Sequence, residues 1–159
     1  MALTTYDRGF RSIEINLQED IQITVDYDNT NSFPLEILQT NLKSGQTLAT
    51  LHHAITHIIN NNLPADPITR KNVTNFILDV MINCKISDMK NFLDKKAMGD
   101  ISENFYVKKI DWLMKFVYKG LEVHSNVNVT KVLFAWHEMI EEKGGKGCIL
   151  RVLTDRTEF

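Results

Sequence analysis

The chain has 159 residues and a mass of 18.3 kDa, with 43% hydrophobic and 24% charged residues, so it reads as a single globular domain over 1–159 and excludes the disordered and low-complexity classes. A net charge of −2 argues against a protein that binds polyanions with its whole surface. No apolar run approaches the roughly 18 residues of a membrane helix, and the opening MALTTYDRGF lacks the basic-then-apolar order of a secretion signal.

These features predict a cytoplasmic protein without membrane insertion. Cys84 and Cys148 are far apart and lie in apolar surroundings, as buried free thiols of a reducing compartment do. In that setting the Asn-Val-Thr acceptors at Asn72 and Asn128 are chance matches. Abundant Asn, Ile and Lys fit an AT-rich genome and point to a viral, phage or low-GC bacterial origin.

In chain order, residues 11–27 alternate with a period of two. Ile13, Ile15 and Leu17, then Ile21, Ile23 and Val25, face one way and predict a β-hairpin. After a turn-rich linker at 28–32, Phe33, Leu35 and Ile37 form a short third strand, which Pro34 assigns to an edge. Ser44 then caps a helix reaching about Asn62, with Leu48, Leu51, Ile55, Ile58 and Ile59 on one face. Asp66 with Pro67 opens a second helix, whose stripe is Val73, Phe76, Ile77, Val80, Met81 and Cys84.

Ser87 caps a third helix carrying Met89, Phe92 and Leu93. Ser102 caps a fourth, which runs to about Lys119 and closes at Gly120. Asn128 caps a fifth with Val129, Val132, Leu133, Trp136 and Ile140 inward, ending at Gly144-Gly145. Cys148 to Leu153 reads as a closing strand. The predicted fold is therefore α+β: the N-terminal hairpin and C-terminal strand make a small antiparallel sheet against a bundle of about five helices.

Three groups of residues carry functional expectations. The first is the helix face opposite the 44–62 stripe, where Thr50, His53, Thr56, His57, Asn60 and Asn61 include no charged group. A solvated face normally carries Lys and Glu, and interface cores are depleted of charge because desolvating it is costly. These six residues are the predicted partner interface.

The second group lies in residues 85–119, where eight lysines oppose five acids. Lys108, Lys115 and Lys119 share a helix stripe beside Trp112 and Phe116, an arrangement that offers phosphate contacts and a stacking ring to RNA or DNA. A solvated helix whose lysine stems cover apolar surface has the same pattern.

The third is metal: His53 and His57 at i and i+4, with His137 and Glu141 repeating the spacing on another helix. His53-Ala-Ile-Thr-His57 lacks the glutamate that serves as base in zinc proteases. Gly144-Gly145-Lys146-Gly147 lacks the P-loop spacing and reads as a helix stop.

The leading expectation is a non-enzymatic accessory, adaptor or inhibitor that binds a protein partner or a second copy of itself through the uncharged face, with no cofactor. A nucleic-acid binder using the lysine stripe is the alternative, and a metal-dependent enzyme the second.

Overall fold

A computed structural model describes residues 32–95 and 101–155, and every element among them is helical. The order is α1 (Leu35–Lys43), α2 (Thr47–Asn61), α3 (Pro67–Ile82), α4 (Ile86–Leu93), α5 (Glu103–Val123), α6 (Val127–Gly144) and α7 (Lys146–Thr154). The α+β expectation is thus corrected to an all-helical fold among the described residues. The hairpin predicted at 11–27 lies outside them.

Two local signals set helix starts as expected. Asp66 accepts hydrogen bonds from the Thr69 backbone N–H at 2.7 Å and its hydroxyl at 2.6 Å, with Pro67 at the first helical position of α3. Ser102 accepts from the Phe105 N–H at the head of α5.

Other caps fall elsewhere. Ser44 ends α1, its hydroxyl donating to the Asn41 carbonyl, and α2 starts after Gln46 with no side-chain cap. Lys85, not Ser87, precedes α4, and Asn126, not Asn128, caps α6.

The centre of the bundle is α5. Tyr106, Ile110, Leu113, Met114, Phe116 and Val117 are all buried, and the helix packs against α2, α3, α6 and α7. Gly120 does not end this helix. It lies in its interior, where a Cβ would come within 2.9 Å of Leu133 Cδ1 and 3.0 Å of Leu78 Cδ2, so the missing side chain lets α5 approach α6 and α3.

Trp136 of α6 is wholly buried and donates its indole N–H to the Met81 carbonyl at 3.0 Å, which ties α6 to the end of α3.

Gly145, with φ of +65°, stops α6 as expected, but Cys148 to Leu153 continue as α7 and not as a strand. Cys148 is buried, with Ile149 and Val152 packed beside it, and Arg151 donates two hydrogen bonds to the Asp111 carboxylate at 2.7 and 2.8 Å. A short apolar run has no periodicity that separates strand from helix, and here the return of the chain onto α5 and α6 decides it.

The third strand expected at Phe33, Leu35 and Ile37 is likewise the start of α1, with Phe33 and Leu38 in the core and Leu35 and Leu42 packed against it. Both cysteines are free and buried, as expected from their surroundings.

Candidate functional site

The first and second helices are joined by Ser44 to Gln46, with Gly45 at φ +82° making a turn that an L side chain strains to follow. They pack side by side and leave a groove of about 400 Å³ between them. Pro34, Ile37, Leu38 and Asn41 line one wall; His53, Thr56, His57, Asn60 and Asn61 line the other. None of the nine is Asp, Glu, Lys or Arg. Ile37 is 65% exposed although it belongs to an apolar wall.

Five of the six residues expected from the uncharged helix face therefore meet in one concave surface. Thr50 is the exception. It is fully buried and donates its hydroxyl to the Gln46 carbonyl at 2.7 Å, so it serves α2 itself.

His57 packs edge-on to Phe33, with ring centroids 5.2 Å apart, and its Nδ1 is buried without a hydrogen-bond partner. Burial lowers its pKa, so this imidazole is neutral at neutral pH.

The α1 wall is masked in the sequence by the strand-like alternation of Phe33, Leu35 and Ile37. Leu35, Leu38 and Leu42 at i, i+3 and i+7 are the helical spacing that would have revealed it.

The lysine stripe does not form a nucleic-acid face. Trp112 and Phe116 are buried with ring centroids 6.0 Å apart, so neither can stack on a base. Lys115 is buried too, pairs with Asp155 and lies 4.4 Å over the Trp112 ring. Lys119 pairs with Glu122 at 3.0 Å, and Lys108 alone of the three is an exposed lysine. The helix is covered on this side by α7, which no pattern within 102–119 announces.

The metal reading is corrected as well. His137 Nε2 shares a hydrogen bond with the Tyr118 hydroxyl at 3.3 Å, while His57 packs on Phe33 in the α1–α2 groove. Among the described residues no group of three or more His, Cys, Asp and Glu is placed to hold an ion, so His53, His57, His137 and Glu141 do not form a centre. Gly144 to Gly147 form the break between α6 and α7. Among the described residues no helix is long and apolar enough to cross a membrane.

Comparison with known proteins gives a consistent result. Residues 10–159 match the family described as ARP2/3 complex 16 kDa subunit (p16-Arc). The chain is 28% identical over 169 residues to actin-related protein 2/3 complex subunit 5-like protein of Rattus norvegicus, covering 98% of both chains. It is 29% identical over 135 residues to actin-related protein 2/3 complex subunit 5 of Dictyostelium discoideum, covering 73% of this chain and 94% of that one. Against the subunit 5-like protein of Homo sapiens the identity is 31% over 121 residues, covering 72% and 67%.

Proposed function

The chain belongs to the ARP2/3 complex 16 kDa subunit (p16-Arc) family, and we propose on that footing that it is a structural subunit of an ARP2/3-type, actin-nucleating complex, docking a neighbouring subunit through the α1–α2 groove. The match over residues 10–159 carries the reading.

It overturns the expected viral, phage or low-GC bacterial accessory protein, since the matched relatives come from rat, Dictyostelium and human. It also replaces both alternatives, the nucleic-acid binder and the metal-dependent enzyme. Protein partners follow from membership of the family, whereas self-association and nucleic acid gain no support. A cytoplasmic, cytoskeleton-associated location goes with the same proposal.

The groove fits a docking role on physical grounds. Its walls combine an exposed aliphatic side chain with amide, hydroxyl and imidazole groups and hold no ammonium or carboxylate group, which would be more costly to desolvate.

The test is co-expression of the tagged chain with the remaining complex subunits of its own organism, followed by co-purification. The unaltered chain is expected to recover the assembly. His53→Glu with Asn60→Lys is expected to lower recovery at least about tenfold, as burying unpaired charge in an interface does, while thermal stability stays unchanged because both positions are exposed. Recovery by the double variant equal to the unaltered chain would remove the groove from the interface. Failure of the unaltered chain to recover any subunit would refute the subunit role itself.

A further inference from the structure

We propose that Asn62 recognises the subunit docked in the α1–α2 groove, its side-chain amide pairing with a backbone peptide group of that subunit; this rests on the docking role given to the groove above. Asn62 ends α2 with φ of +62° and ψ of −179°. That region of backbone space belongs almost entirely to glycine, because a Cβ there crowds the adjacent peptide groups. Among the described residues no other non-glycine residue has a positive φ.

The chain itself supplies the comparison. Helix α6 ends in the same conformation, φ of +65° and ψ of 176°, and there the residue is Gly145. Both residues donate their N–H to the carbonyl four positions back, Asn62 to Ile58 and Gly145 to Glu141, each at 2.8 Å. The fold thus makes one kind of helix stop with glycine and again with asparagine.

The groups that hold Asn62 in this conformation lie on either side of it. Upstream is the bond to Ile58. Downstream, Leu63 packs against the core, and Arg70 of α3 donates to the Pro64 carbonyl at 2.9 Å and the Ala65 carbonyl at 2.8 Å. The Asn62 side chain takes no part: it is exposed, and its amide makes no hydrogen bond to a described residue. Backbone strain is retained where function uses it, and here the side chain that causes the strain gives the free chain nothing in return.

Its place in the chain shows where the amide is used. Asn60 and Asn61 line the groove, and Asn62 follows them directly. An asparagine amide offers one donor group and one acceptor, which a peptide C=O and N–H match. The groove lining includes no Asp, Glu, Lys or Arg to favour a charged group on the partner.

Stability of the full chain and recovery of the assembly, measured on the same variants, test this. Strain of this class weakens folding about tenfold, and glycine's extra freedom in the unfolded chain offsets about threefold of that. Asn62→Gly is therefore expected to raise the folding constant about threefold, read as a Tm about 2 °C higher. In co-expression with the remaining subunits it is expected to lower recovery about fivefold, as loss of one interfacial hydrogen-bonding group does. A residue that served only the fold would not move the two in opposite directions. Gly145→Ala calibrates the strain, since a Cβ at that position meets nothing within 4 Å; it should lower Tm by about 2 °C. Asn62→Asp keeps the shape, lacks the amide donor, and is expected to lower recovery too.

Full recovery by Asn62→Gly or by Asn62→Asp would overturn the proposal, as would a Tm that does not rise in Asn62→Gly or does not fall in Gly145→Ala. If His53→Glu with Asn60→Lys loses the assembly while Asn62→Gly retains it, the groove keeps its docking role and the Asn62 contact alone fails. An unaltered chain that recovers no subunit removes both.

Discussion

Replacing Gly120 by alanine is expected to destabilise the fold, although the same change in most helix interiors stabilises by about 1 kcal/mol. An alanine Cβ at this position would lie 2.9 and 3.2 Å from the two Leu133 methyls and 3.0 Å from Leu78 Cδ2. Ordinary carbon contacts are about 3.5–4.0 Å, so both leucines must retreat by several tenths of an ångström. Both are completely buried, and retreat presses them on their own neighbours.

Overpacking of this kind costs about 1–3 kcal/mol. Two displaced side chains place Gly120 near the middle of that range, at about 2 kcal/mol, and after the gain of about 1 kcal/mol in helix propensity the net loss is about 1 kcal/mol. For a chain of this size that lowers Tm by about 2–4 °C. Urea and thermal unfolding followed by circular dichroism measure it.

The second arm is Leu133→Ala, which vacates the space that the new methyl would take. Gly120→Ala should stabilise in that background, giving a favourable coupling of about 1–2 kcal/mol. A Tm equal to or above that of the unaltered chain for Gly120→Ala alone would refute the close-approach argument.

Two further outcomes are expected. Gly147→Ala, within α7, should stabilise by about 0.5 kcal/mol and raise Tm, because the new Cβ meets only the Arg151 Nη1, at 3.1 Å, while Arg151 holds Asp111 through its other nitrogens; a lower Tm would show that the guanidinium cannot yield. Cys84 carries the second. Burial, aided by Asp88, pushes its thiol up to about 11 from the ordinary 9.0. The unfolded chain then loses this proton first, so stability should fall as pH rises from 9 toward 11, and Cys84→Ala should remove that part of the fall in a pH series of urea midpoints.

Several elements were legible because their signals are local. Asp66 with Pro67 opens α3 through a side-chain acceptor and a residue lacking an N–H, both within one turn. Ser102 does the same for α5, and Gly144-Gly145 ends α6 through a left-handed φ that Gly145 adopts without strain. The core faces of α3 and α6 follow from 3.6-residue spacing, down to Trp136 and Ile140.

The candidate site was half legible. Charge depletion on the face of His53, Thr56, His57, Asn60 and Asn61 is a compositional fact, and those residues line the groove. The wall that faces them was not, since Phe33, Leu35 and Ile37 alternate as a strand would, and the helical continuation to Leu38 and Leu42 competes with that shorter pattern.

Composition, the starts of α3 and α5 and the uncharged face were determined by the sequence itself, because capping bonds and amphipathic spacing act within a few residues. What covers each face was decided by tertiary structure. The Lys115, Trp112 and Phe116 side of α5 has the pattern of a basic, aromatic surface, yet α7 packs over that helix, and Lys115 pairs with Asp155, forty residues away. Cys148 to Leu153 is helix for the same reason: it gains burial against α5 and α6, and no sheet edge is available to it among the described residues. Such contacts join residues far apart in the chain, and a short apolar run is compatible with either backbone state until its neighbours supply the surface it buries.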